Sequence, residues 1–109
     1  MPKHPSPVVI LTTLGASTDA AVFARVLVSE RLAACVNVLP PMTSVYRWKD
    51  AIEEDREQQL VIKTTTDRVA AIEARFRELH PYDVPEFVML DAAASAGYLA
   101  WMRDAVRAT

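Results

Sequence analysis

The spacing of apolar and polar positions changes several times along the 109 residues, and each change marks an element. Val8-Val9-Ile10-Leu11-Thr12-Thr13 is a near-continuous apolar run rich in β-branched residues, which predicts a first strand covered on at least one face. Gly15 and Ser17 punctuate a turn. Ser17 or Thr18 is then expected to cap a helix whose first turn carries Asp19 and which ends near Arg31. Ala20, Phe23, Ala24 and Leu27 fall on one stripe of that helix, with Val26 at its edge. From Ala33 to about Leu39 the period drops to two. Ala34, Val36 and Val38 then share one face of a second strand, with Cys35, Asn37 and Leu39 on the other. Pro40-Pro41 removes two ladder donors and predicts a bend, after which the strand resumes from Met42 to Trp48.

Lys49-Asp50-Ala51 is the predicted hairpin turn, returning into a long strand from Ile52 to Thr65. The first half of that strand, Glu53 to Gln59, is almost wholly polar and has nothing to bury. It is expected to project as an arm, while Leu60-Val61-Ile62 returns to the interior. Thr66 or Asp67 is expected to cap a second helix with Val69, Ile72, Phe76 and Leu79 on one stripe, and Pro81 stops it. Phe87 to Leu90 reads as a last strand. Ser95 opens a terminal helix presenting Leu99, Met102 and Val106.

The order strand, helix, strand, strand, helix, strand, helix predicts an α+β fold, a ferredoxin-like split βαβ sandwich with a long protruding β-hairpin and a C-terminal helix. Residues 1–7 read as a tail and 8–109 as one domain. Helices on one face leave the other open, and Tyr46, Trp48, Cys35 and Leu39 are candidates to line it. An apolar open face and a protruding arm both call for a partner.

Composition narrows the function. With 51% hydrophobic and 24% charged residues and a net charge of −2, the chain has no general attraction for nucleic acid or an anionic membrane. No apolar run approaches the ~20 residues that span a bilayer, and the proline-broken start has no apolar signal core, so the expected location is cytoplasmic. A lone Cys35 fits a reducing compartment, and two glycines, Gly15 and Gly97, leave no phosphate-binding loop motif.

Few residues carry candidate chemistry. His80, Tyr82 and Glu86 surround Pro81 and Pro85, a rigid polar loop suited to a pocket wall. Lys63, in an apolar strand, calls for a partner. A Lys63–Glu86 pair would be either an interface ion pair or an anion site. Cys35 reads as a small buried hydrophobe, with a soft metal ligand as the alternative. Glu53, Glu54, Asp55 and Glu57 are split between strand faces and read as a solvated arm. If Met1 is removed, Pro2-Lys3-His4 offers an amine, two amides and an imidazole in the square-planar pattern that Cu(II) favours. His4, Cys35 and His80 are therefore the candidate metal ligands, and no metal or other cofactor is required by the fold.

Two segments, Glu30 to Pro40 and His80 to Glu86, with Ser44-Val45-Tyr46-Arg47-Trp48 and Leu60-Val61-Ile62-Lys63-Thr64 between them, make the chain resemble the CutA family, the divalent-cation tolerance proteins. The resemblance runs from about Val8 to Met102. It implies a non-enzymatic homotrimer whose long hairpins pair across subunits through Tyr46 and Trp48, associated with tolerance of divalent metals including copper. The family usually has glycine where Asp50 stands; aspartate also tolerates left-handed geometry. Copper ligation in some bacterial members is attributed to a cysteine on the first strand and two adjacent histidines before Pro-Tyr. Here those places hold Thr12, Leu79 and His80. The family is similar in architecture to the PII regulatory trimers, which implies as an alternative a sensor binding a small anion between subunits near Lys63, His80, Tyr82 and Glu86. An acylphosphatase-type enzyme ranks last, because Leu14-Gly15-Ala16-Ser17 carries no arginine for a phosphate cradle.

Overall fold

The computed structural model describes residues 5–108. Strand β1 (Pro7–Gly15) is followed by helix α1 (Ala20–Ser29), β2 (Cys35–Val38), β3 (Met42–Trp48), β4 (Ala51–Thr65), a 3₁₀ turn (Thr66–Arg68), α2 (Val69–Leu79), β5 (Val88–Asp91) and α3 (Ala96–Ala105). The antiparallel sheet has the order β2-β4-β1-β5, the ferredoxin-like arrangement that the pattern predicts. At Glu57, β4 pairs with Gly15 on one side and Met42 on the other, so β3 continues the edge that β2 occupies. The Pro40-Pro41 bend separates the two.

Register divides the side chains between two faces. Ile10 opposes Ile62 and Thr12 opposes Leu60, and this face carries the core. Ile10, Leu14, Leu60 and Ile62 pack there with Phe23 and Leu27 of α1 and Ile72 and Phe76 of α2. Full burial of each such aliphatic chain stabilises the fold by about 1.5–3 kcal/mol. Helix α3 closes the end of the sheet where β1 begins. Met102 and Val106 pack on Ala34, while Arg103 donates to the Pro5 carbonyl at 2.9 Å and Arg68 to the Val106 carbonyl at 2.5 Å.

The helix caps differ from expectation. Asp19, not Ser17 or Thr18, caps α1 by accepting from the Val22 amide at 3.2 Å. At α2 neither Thr66 nor Asp67 caps the backbone. The 3₁₀ turn leads into the helix, and the Asp67 carboxylate accepts instead from the Thr65 hydroxyl at 2.5 Å. Ser95 caps α3 as predicted. No helix among the described residues is long and apolar enough to cross a membrane.

Beyond Gly15, β4 has lost β1 as a neighbour and continues with β3 alone, so Ala51–Arg56 stand exposed. This arm stretches the molecule to 47 × 26 × 25 Å, and the radius of gyration of 14.8 Å exceeds the ~13 Å of a compact chain near this length.

Candidate functional site

The open face of the sheet carries the odd-numbered positions of β4. There Gln59 opposes Thr13, Glu57 opposes Met42, and Glu53 opposes Tyr46. Because β5 pairs with β1 only from Val8 to Leu11, the outer edge of Thr12–Gly15 is left free of a strand. The loop from α2 to β5, His80–Phe87, crosses that edge from the helix layer to the open face. Pro81 ends the helix, leaving His80 in extended backbone at φ −79°, ψ 131°.

Three contacts fasten the loop. His80 Nε2 donates to the Thr13 carbonyl at 2.9 Å, while its Nδ1 accepts from the Tyr82 amide at 3.2 Å. This pattern requires the neutral tautomer with its proton on Nε2. The ring lies against Phe23, Phe76 and Tyr82, with centroids 5.8, 5.5 and 4.9 Å away. Burial pushes the His80 pKa below its ordinary value, against smaller opposing pulls from the Thr13 carbonyl and Glu57. Next, Tyr82 Oη donates to Glu57 Oε2 at 2.7 Å. Finally, Gln59 Nε2 donates to Glu86 Oε2 at 3.0 Å and to the Thr12 carbonyl at 2.5 Å.

Between this loop and the root of the arm lies a cavity of about 730 Å³. Tyr46 and Trp48 form one wall, Tyr82 and Glu86 the other, and Glu57 and Gln59 the floor. The phenols sit in negative surroundings. The hydrogen bond to Asp55 pushes Tyr46 up to about 12, and burial followed by the bond to Glu57 raises Tyr82. Among the described residues that line the cavity are Asp55, Glu57, Asp83 and Glu86, with no Lys, Arg or His.

The expected site residues are therefore distributed. Tyr82, Glu86, Tyr46 and Trp48 share the cavity, and His80 stands behind it. Lys63 lies four residues from Gln59, about 13 Å along β4. It lines a separate cleft with Val9, Ala92 and Tyr98, and within the chain Glu86 is held by Gln59 rather than by Lys63. Glu57 was read as part of the solvated arm, yet it is 7% exposed. Its parity with Tyr46 and Trp48 was the available signal.

The metal candidates do not converge. Cys35 is half-buried on β2 opposite Lys63, and both His80 nitrogens are engaged, so His80 offers no lone pair. His4 lies outside the described residues. Among the described residues no group of three or more His, Cys, Asp or Glu side chains is placed to hold a metal ion.

The family model for the CutA1 divalent ion tolerance protein matches residues 8–105. The "Divalent-cation tolerance protein CutA" of Thermus thermophilus is 45% identical over 97 residues, covering 88% of this chain and 94% of that protein. The human "Protein CutA" is 45% identical over 82 residues, covering 74% of this chain but 46% of the longer human protein. The solved structure of the Thermus thermophilus divalent cation tolerance protein superposes with a TM-score of 0.87 at 43% identity, over 93% of this chain and 99% of that one. With a match over nearly its full length and the same fold, the chain belongs to the CutA1 divalent ion tolerance family.

Proposed function

We propose that this chain acts as a non-enzymatic homotrimer in the response to divalent metals, assembled through its β3–β4 arm. The observation that carries the reading is the arm itself. Val45 and Ile52 are 64% and 70% exposed, and Tyr46 and Trp48 stand out from its other face. A two-stranded ribbon is marginally stable alone in water, and large exposed apolar side chains on both faces suit a buried position against neighbouring copies. The exposed edge strand β5, with Val88, Met89 and Leu90, offers further surface. A trimer of crossing hairpins is what the family resemblance implies.

The non-enzymatic part rests on His80, the one imidazole among the described residues. Its Nε2 proton is given to the Thr13 carbonyl, so the nitrogen nearest the Thr12 hydroxyl, at 3.5 Å, cannot take that hydroxyl's proton. Light scattering after size-exclusion chromatography should report three times the chain mass at micromolar concentration. A monomer there would overturn the reading.

A further inference from the structure

The arm leaves the core where the backbone has fewest neighbours. Strand β1 ends at Gly15, opposite Glu57, and β2 ends at Val38, opposite Leu60. Strand β3 begins only at Met42, opposite Glu57, so the outer edge of β4 at Gln58 and Gln59 has no strand beside it. A single amide, that of Leu39, donates across this gap to the Gln59 carbonyl at 2.9 Å. Beyond Glu57 two strands continue alone, and a two-stranded ribbon twists strongly and is marginally stable by itself. Ladder bonds alone would leave the ribbon free to swing about this joint.

Side chains close the joint from both faces. On the core face, Gln58 Nε2 donates to the carbonyls of Gly15 and Thr18, at 3.2 and 3.1 Å. On the open face, Glu57 accepts from the Tyr82 phenol at 2.7 Å. Beside it Gln59 Nε2 donates to the Thr12 carbonyl at 2.5 Å and to Glu86 at 3.0 Å. Pro81 and Pro85 stiffen the loop that brings Tyr82 and Glu86 there. The pattern stops at the next residue. Among the described residues, the side-chain hydrogen bonds of the ribbon beyond run from Tyr46 to Asp55 and from Arg56 to Thr43, joining β3 to β4 and reaching nothing in the core. Burial changes at the same place: Glu57 is buried and Gln58 and Gln59 half-buried, while Ala51–Arg56 are exposed. We infer that Glu57, Gln58 and Gln59 form a clamp that fixes the angle of the arm to the core before a neighbouring copy is met.

The clamp's role in assembly rests on the trimer reading above; the clamp itself lies within one chain. A ring of identical subunits closes only when every contact carries the same rotation, and an arm already held in its bound direction loses less freedom on association. Glu57, Gln58 and Gln59 are thus positioning residues for assembly. Tyr82→Phe opens the clamp on the open face and keeps the ring. Gln58→Ala opens it on the core face, where Gly15 keeps the Thr18 amide as a donor at 2.9 Å. Backbone residual dipolar couplings report the direction of the arm relative to the core strands. They should be measured in full-length chain carrying Val45→Lys and Ile52→Lys, which charge the exposed apolar positions of the arm and separate the copies. With the clamp intact, arm and core should fit one alignment. With Tyr82→Phe and Gln58→Ala together, the arm couplings should shrink while those of β1 keep their size. In the otherwise wild-type chain the same pair should weaken association roughly tenfold or more by sedimentation, with amide exchange at Ile10 and Ile62 unchanged. A single shared alignment in the opened chain overturns the clamp. Association as tight as wild type overturns its role in assembly, and faster exchange at Ile10 and Ile62 would make these residues supports of the core instead. A wild type that is monomeric throughout overturns the trimer reading, while the couplings still decide whether the clamp holds the arm.

Discussion

His80 shows how one side chain links the core to the cleft. Its ring fills space among Phe23, Phe76 and Tyr82, and its two nitrogens tie β1 to the loop that carries Tyr82. The bond that Nδ1 accepts from the Tyr82 amide needs the neutral ring, and burial holds its pKa below the ordinary value. The unfolded chain takes up the proton near pH ~6.5, before the folded chain does. Below that point the unfolded state holds more protons, so stability falls as the pH drops from ~6.5 toward the folded pKa; above it the contribution is complete. His80→Gln keeps a donor for Thr13 but loses ring packing, a cost of about 1–3 kcal/mol near neutral pH. Thermal unfolding between about pH 7.5 and 5 should show wild type losing more stability than His80→Gln over that window. Parallel pH profiles would remove the histidine from this role.

The arm depends on its turn. Lys49 and Asp50 have φ of 49° and 65°, both left-handed, and Trp48 pairs with Ala51 across them. This is the two-residue geometry whose twist matches paired strands, built here without glycine. Left-handed backbone costs an ordinary L-residue roughly 1–2 kcal/mol, and aspartate bears it better than a β-branched residue. Asp50→Val should therefore speed amide hydrogen exchange across Val45–Trp48 by roughly tenfold. Unchanged exchange there would mean that the turn does not hold the ribbon. The hairpin, the helix stripes and the strand order were all legible in the sequence, because periodicity reports which face is buried. The Ser95 cap was legible too, but those of the first two helices were not: Ser17, Thr18 and Asp19 are all good acceptors, and only the chain path selects Asp19. Glu57 was missed for a related reason. A polar run reads as wet until a loop 25 residues away lays Tyr82 over it. Lys63 and Glu86 were expected together in a pocket between subunits; within one chain the β1–β4 register puts Gln59, not Lys63, opposite Thr13, where the loop crosses.

At the scale of the molecule, core and arm separate cleanly. Neither buried cluster draws a residue from Met42 to Arg56, so the core does not depend on the arm. This makes assembly testable without unfolding. Val45, which borders the cavity, opposes Glu54, and Ile52 opposes Arg47; both are largely exposed in the single chain. If neighbouring copies cover them, as proposed, Val45→Lys with Ile52→Lys places two charges in an apolar contact and leaves the Trp48 wall intact. The expected product is a folded monomer with unchanged circular dichroism. Its melting temperature should be independent of protein concentration, whereas that of wild type rises with concentration because association stabilises the folded state by mass action. Sedimentation and thermal melts over a hundredfold concentration range read both effects. A double variant that sediments as wild type does would show that the outer arm face is no interface, and that the exposed β5 edge, not the ribbon, holds any assembly together.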